Sequence, residues 1–276
     1  FTETILKPLL ATKYFTRTLQ RCSVDNYEVP LTNDLFQDLS KVQSLIKLDL
    51  RRSKVENEHL EIIVNSFPSL ETLTVCDAQN LKISTIYPET ALFITSPPPP
   101  ATKTLRSLTM HIVDPLFATT LVPHFPNLRK LVLSSQDSSQ ELDLLPLTSS
   151  LPLLTDLTLK YFTLENAESL KNLVHLSSLK FTWCKRLELS FLDHQENTIS
   201  PRLFALSIER CDGLSNNSFS LLANAPNLYV LKLNPSAFNN DCFQYLEDMV
   251  NLRSLDLSRS NIFGDSQSLK ALMKFQ

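Results

Sequence analysis

RLFALSIERCDGLSNNSFSLLANAPNL, the stretch from Arg202 to Leu228, holds one whole structural unit that other segments of the chain repeat with variation. Leu203, Leu206 and Ile208 follow an L-x-x-L-x-L pattern, Cys211 stands three residues further on, and Leu214, Phe219 and Leu222 supply the remaining apolar positions before Leu228 opens the next copy. Leu206 and Ile208 alternate with Ser207 and Glu209, which predicts a short strand with one apolar and one polar face. Ser215 or Asn216 is placed to cap a helix whose Phe219, Leu222 and Ala223 share a side, and Pro226 ends it. One such unit cannot cover its own apolar face, so neighbours must stack on both sides.

The same triplet recurs along the chain. Working outward, it is found at Leu19, Cys22, Val24; Leu45, Leu48, Leu50; Leu70, Leu73, Val75; Leu105, Leu108, Met110; Leu128, Leu131, Leu133; Leu154, Leu157, Leu159; Leu176, Leu179, Phe181; Leu228, Leu231, Leu233; and Leu252, Leu255, Leu257. First-position spacings are 26, 25, 35, 23, 26, 22, 27, 25 and 24. Ten copies in phase define a repeat protein. Phe67-Pro68-Ser69, Phe125-Pro126-Asn127, Leu151-Pro152-Leu153 and Ala225-Pro226-Asn227 precede strands, where proline stops a helix and turns the chain. Helices are expected over Asp34–Val42, Glu58–Ser66, Pro115–Val122, Ala167–Val174, Asn217–Ala223, Asp241–Met249 and Ser266–Phe275.

A period near 26 with the order L-x-x-L-x-L-x-x-C resembles the cysteine-containing leucine-rich repeats, most closely the repeat domains of F-box proteins and related cullin-ligase substrate receptors. Cys211 in Cys-Asp-Gly-Leu-Ser-Asn-Asn-Ser and Cys184 in Trp-Cys-Lys-Arg-Leu carry that likeness, while other copies have Ser53, Ala78, Val113, Gln136, Phe162, Ser236 and Ser260 there. The expected fold is an α/β leucine-rich-repeat solenoid, curved like ribonuclease inhibitor, with about ten parallel strands on the concave face and helices on the convex face. The resemblance implies a protein-interaction scaffold, the substrate-recognition domain of a ubiquitin-ligase receptor. An inhibitor-type scaffold without ubiquitin chemistry and an enzyme with a hidden site are the alternatives. Residues 1–18 cannot supply an F-box, so a ligase adaptor would be a partner only through a docking module outside residues 1–276.

Bulk composition narrows the classes further. The whole of residues 1–276 reads as a single repeat domain, with 1–18 as an N-terminal capping helix and 85–103, containing Pro97 to Pro100, as an inserted loop. A chain starting at Phe1 and stopping one helix after Leu257 reads as a piece of a longer protein, truncated at its C-terminal end. The formal net charge of −3 and pI near 6.0 argue against general nucleic-acid binding. No run of about 18 apolar residues exists to span a membrane. The five cysteines, Cys22, Cys76, Cys184, Cys211 and Cys242, fall on repeat positions without paired spacing, which favours free thiols and a cytoplasmic or nuclear location.

Chemistry-bearing motifs are absent from the sequence. Gly213 and Gly264 are its two glycines, so no phosphate-cradling loop or nucleophile elbow can be written. His59, His111, His124, His175 and His194 fall in unrelated copies without metal-ligand spacing, and Asp193-His194 reads as a solvated loop. Cys184 and Cys211 point into the turn interior as small apolar groups that also hydrogen-bond. No enzyme activity, catalytic residue, cofactor or metal is expected.

A binding surface can be read copy by copy. Thr72, Thr74, Ser107, Thr109, Ser134, Thr158, Ser178, Thr182, Ser207, Ser254 and Ser258 make the strand face small and polar, which leaves room for a protein partner on the concave side. Against that background Tyr161, Trp183 and Arg210 take equivalent rim positions in three successive copies, flanked by Lys160, Lys180 and Glu209. Trp, Tyr and Arg are the side chains that most often dominate interface energy. Trp183 packed down onto its own turn is the opposing reading. Asp49, Arg51 and Arg52 form the second candidate group.

Overall fold

The computed structural model describes residues 3–26, 31–76, 103–111, 113–193, 202–234, 240–246 and 249–259. The chain groups into two compact units, residues 1–136 and 137–276. Residues 85–102 of the inserted loop expected over 85–103, and the helix expected over Ser266–Phe275, lie outside the described residues.

In the first unit five strands follow one another as parallel neighbours: β1 (Arg21–Asn26), β2 (Lys47–Lys54), β3 (Thr72–Cys76), β4 (Ser107–His111) and β5 (Lys130–Ser134). In the second unit β7 (Asp156–Lys160), β9 (Ser178–Thr182), β10 (Ala205–Glu209), β11 (Val230–Asn234) and β12 (Ser254–Asp256) do the same. Each of the ten strands belongs to one copy of the triplet, whose first position precedes it, and every described pairing among them is parallel. This is the α/β leucine-rich-repeat solenoid fold.

Register follows from the leucines. Leu157, Leu179, Leu206, Leu231 and Leu255 stand opposite one another across the second unit, as do Leu48, Leu73, Leu108 and Leu131 in the first. A slip of one residue would move every one of these side chains from core to solvent. Strands β4, β7, β9 and β10 alternate between half-buried and buried residues, with the leucines inward.

Two further hydrogen-bond devices recur along the described copies of each unit. The residue after the first leucine offers one carbonyl to two N–H groups of the following copy: Phe204 and Ala205 donate to Ser177 O at 2.8 and 2.9 Å, Tyr229 and Val230 to Phe204 O at 2.8 and 3.1 Å, and Arg253 and Ser254 to Tyr229 O at 2.9 and 3.0 Å. In the first unit Ile46 and Lys47 bond Gln20 O, and Glu71 and Thr72 bond Ile46 O, in the same way. The Pro-containing phrases are turns: Leu70 N–H donates to Phe67 O, Leu128 to Phe125 O, Leu154 to Leu151 O and Leu228 to Ala225 O. Proline sits second in each, where its fixed φ pre-sets the turn.

The helices expected over Asp34–Val42, Glu58–Ser66 and Pro115–Val122 are present in the first unit, whereas the connecting segments of the second unit differ from the expected helices. The first unit has α1 (Glu3–Leu10), α2 (Lys13–Thr18), α3 (Asn33–Leu39), α4 (Asn57–Ser66) and α5 (Pro115–Leu121). The segment expected as one capping helix over 1–18 is two helices, broken where Thr12 caps the second, and Leu6 and Leu10 of α1 are buried. In the second unit Ala167–Asn172, Asn216–Asn224 and Asn240–Leu246 are 3-10 helices rather than α-helices. A 3-10 segment rises about 2.0 Å per residue against about 1.5 Å for α, so a short connection crosses the back of a copy with fewer residues. Ser215 is the N-cap there, its N–H donating to Ser218 Oγ at 3.1 Å. A short α-helix, α6 (Leu145–Ser150), was not foreseen, nor was a second small parallel sheet of β6 (Glu141–Asp143) and β8 (Thr163–Glu165).

That small sheet continues into the turns that follow β9 and β10. Leu164 N–H bonds Lys185 O, Asp212 N–H bonds Cys184 O and Leu187 N–H bonds Asp212 O, all within 2.9–3.0 Å. Gly213, with φ +97°, closes this stack: a Cβ there would lie 2.7 Å from Leu187 N and 2.9 Å from Arg186 Cα. Both neighbours are backbone and cannot step aside. Gly213→Ala is expected to cost at least about 1–3 kcal/mol, read as a lower denaturant midpoint at unchanged slope.

Candidate functional site

The site lies wholly within the second unit and begins with backbone geometry. Two residues after the third apolar position of their copies, Tyr161, Trp183, Arg210 and Arg259 all have left-handed backbone, with φ of 59°, 56°, 53° and 63°. Tyr161 N–H reaches Thr182 O at 3.0 Å, Trp183 N–H reaches Glu209 O at 2.9 Å and Arg210 N–H reaches Asn234 O at 2.9 Å, so each residue extends the ladder by one bond and then turns away. A non-glycine residue in this region costs roughly 1–2 kcal/mol. Glycine would relax the backbone here, yet these copies carry large side chains.

Those side chains meet across the copies. The rings of Tyr161 and Trp183 stack at 6.3 Å between centroids with planes 12° apart, and the Arg210 guanidinium lies over the Trp183 ring at 4.7 Å. Stacking and cation–π attraction fix the order Tyr–Trp–Arg. Trp183 remains 41% exposed and Tyr161 37%. The indole is therefore sandwiched between its neighbours along the rim.

Beneath the rim the exposed sheet face carries charges that alternate across the copies. Lys180 Nζ donates to Glu209 Oε1 at 2.6 Å, Lys232 Nζ stands 3.6 Å from the same oxygen, and Lys232 also reaches Asp256 Oδ2 at 3.1 Å. Ser207 Oγ adds a bond to Glu209 at 3.1 Å. Burial works to raise the Glu209 carboxyl, but Lys180, Ser207 and Lys232 together hold it below the ordinary carboxylate range. The Asp256 carboxyl is held down to about 2, first by Ser258 and then by Lys232. Lys232 is raised by Asp256 and Glu209 in turn.

A groove of about 380 Å³ runs beside this ladder, lined in part by Trp183, Glu209, Arg210, Lys232 and Arg259. The expected residues Tyr161, Trp183, Arg210, Lys180 and Glu209 are thus brought together, with Lys160 half-buried on the neighbouring strand β7. Lys232, Asp256 and Arg259 were missed. Their signal was present: Lys232 and Asp256 fall between the last two leucines of their copies, as Lys180 falls between Leu179 and Phe181, and Arg259 holds the rim position.

The second candidate group belongs to the first unit. Asp49 is 7% exposed, and Arg51 grips its carboxylate with Nη2 at 2.6 Å and Nε at 3.1 Å. Burial opposes the charge there, and the Arg51 contacts overcome it, holding the carboxyl below its usual value. That carboxylate is occupied by its neighbour. The side chain of Arg52 lies outside the described residues. Elsewhere on the surface Phe204 and Tyr229, just ahead of strands β10 and β11, stack at 4.9 Å with planes 9° apart while 49% and 42% exposed. The strand-face pattern gave no notice of this pair, because both residues precede the strands.

Inside the turns Cys184 and Cys211 are buried, and Cys184 N–H donates to Cys211 Sγ at 3.4 Å. Cys211 Sγ–H in turn points to Glu209 O at 3.4 Å. Contact with Cys184 and then burial push the Cys211 thiol far above the ordinary range, and burial pushes Cys22 up to about 11. Among the described residues no group of three or more His, Cys, Asp or Glu side chains could hold a metal ion. No helix among them is long and apolar enough to cross a membrane.

No protein-family model matches this chain, and no curated protein matches it. Among solved structures it is similar to an internalin of Listeria monocytogenes str. 4b F2365, at 16% identity over 99% of this chain and 93% of that one, with a TM-score of 0.46. The fold assignment rests on the chain's own register and buried leucines.

Acid titration checks the charge ladder. Asp256 has a folded value of about 2, below its ordinary 3.8, so its contribution to stability is complete above the ordinary value and is lost as pH falls through about 2. Ser258→Ala and Lys232→Met are each expected to raise the Asp256 midpoint, followed by its carboxyl NMR shift.

Proposed function

We propose that the chain is a protein-interaction scaffold that takes its partner on the exposed strand face of the second unit, along the rim formed by Tyr161, Trp183 and Arg210. The observation that carries this reading is the exposed Tyr161–Trp183–Arg210 stack held on left-handed backbone. Large side chains kept in a costly conformation, ordered before any partner arrives, lose little entropy on binding. Small residues such as Ser207 and Ser178 keep the face beside them open.

The finer form of the proposal is a substrate-recognition domain of an F-box-type cullin-ligase receptor, working in the cytoplasm or nucleus. Its support is the interior pairing of Cys184 and Cys211 at the cysteine position of successive copies, in a thiol form that suits a reducing compartment. An inhibitor-type scaffold outside ubiquitin chemistry is the competing form.

A photo-crosslinking side chain placed in the full chain at Ser207, on the strand face, is expected to capture the partner, while the same group at Ser220, on the 3-10 helix of the same copy, is not. Capture from Ser220 alone would overturn the proposal. Co-purification of a cullin-ligase adaptor with the natural full-length protein is expected for the finer form. Absence of the adaptor with Ser207 capture intact would leave the scaffold reading and remove the ligase role. Trp183→Ala is expected to weaken the captured complex by about 2 kcal/mol or more while the melting temperature barely moves, because alanine in the left-handed region costs no more than tryptophan. Loss of stability with affinity unchanged would make Trp183 structural.

A further inference from the structure

Charges around the groove do not balance, and the imbalance says what kind of partner it fits. Its lining contains three cations, Arg210, Lys232 and Arg259, and one carboxylate, Glu209, a formal charge of +2 in a chain whose total is −3. Glu209 is in addition neutralised from outside the groove by Lys180 at 2.6 Å. Lys232 is shared between Glu209 and Asp256. Among the described residues no carboxylate pairs with Arg210 or Arg259. Two exposed guanidiniums therefore face the groove with their donors unspent, one of them pinned in place on the Trp183 ring.

We infer that this groove binds an extended acidic peptide segment whose carboxylates pair with Arg210 and Arg259. The inference rests on the reading of this rim as the partner-contacting surface. Arg210 and Arg259 occupy the same position two strands apart, about 10 Å in the hydrogen-bonding direction, and alternate residues of an extended peptide put side chains about 7 Å apart on one side. Arginine side chains close the remaining difference. A guanidinium's fork of donors matches a carboxylate in two parallel bonds, and a preordered arginine loses little freedom in making them. The small residues Ser258 and Thr182, also in the lining, leave room for the peptide backbone.

A nucleic acid suits the surface less well. Its phosphates follow one another without a break, so some would fall against Glu209 and Asp256, whose charges the lysines fix in place. A peptide with carboxylates on alternate residues places charge at the arginines and leaves neutral side chains opposite the acids.

The test uses the full chain and a fluorescein-labelled peptide of about twelve residues alternating Glu and Ser, read by anisotropy and by quenching of Trp183, the one tryptophan of the chain. The Gln-Ser peptide is the neutral control, and oligothymidylate of similar length is the competing polyanion. Binding of the Glu-Ser peptide about tenfold or more tighter than the Gln-Ser peptide is expected, falling about fivefold or more in Arg210→Gln and in Arg259→Gln. Asp212→Asn, which changes an acid beyond the groove, is expected to leave binding unchanged. Equal binding of both peptides, insensitivity to both arginine variants, or equally tight binding of oligothymidylate would each overturn the inference. If Ser207 crosslinking still captures a protein partner in that event, the scaffold reading stands without the acidic-peptide preference.

Discussion

Within each unit a copy hands the next a single backbone carbonyl that accepts two N–H groups, and the start of the following strand rests on this bond pair. Gln20, Ile46, Glu71 and Arg106 supply it in the first unit, and Thr155, Ser177, Phe204 and Tyr229 in the second. A carbonyl has two lone pairs, so both bonds can be satisfied at once. The arrangement fixes where a strand starts before any side chain is consulted. Combined with the turn from the i residue to the leucine three places on, it holds the first leucine inward, as at Leu70, Leu128, Leu154 and Leu228, and the alternation of the strand then places the other two.

Where the strands end, the constraint is different. The small sheet and the cysteine turns require the chain to swing away immediately, and the left-handed residues Tyr161, Trp183, Arg210 and Arg259 perform that swing. The side chains of Tyr161, Trp183 and Arg210 follow one another one strand spacing apart, and Arg259 stands two strands beyond Arg210. Ring then falls on ring and guanidinium on ring, because the spacing of about 4.8 Å lies within the reach of offset stacking and cation–π contact. The same spacing lets lysine and carboxylate alternate beneath them. Repetition of backbone thus becomes an ordered array of side chains at no added loop cost.

Burial divides the polar groups into two kinds. Cys184 and Cys211 satisfy backbone groups within the turns and are sealed from solvent, a role that any small hydrogen-bonding residue shares. Glu209 and Asp49 look alike by residue type but differ in company: Arg51 takes up Asp49 completely, whereas Glu209 is compensated by lysines and leaves Arg210 without an acid. That leftover charge, and not the aromatic stack alone, gives the groove of the second unit its chemical character.

The leucine spacing made the strands, their parallel order and the inward cysteines legible, because a period-2 strand stacked on its own copies admits one register. It also put Tyr161, Trp183 and Arg210 in equivalent positions, since a repeat carries residue phase from copy to copy. What phase could not supply was partnership. That Asp49 is consumed by Arg51 two residues on, that Lys232 and Asp256 complete the charge ladder, and that Arg259 joins Arg210 in lining one groove depend on side-chain reach, within a strand and between strands. The connecting segments of the second unit escaped for a related reason: helix propensity is local, but the choice of 3-10 over α there answers to the distance each connection must cross. Apolar periodicity alone decided the fold, whereas the identity of the site was decided by which charges the packed strands left unpaired.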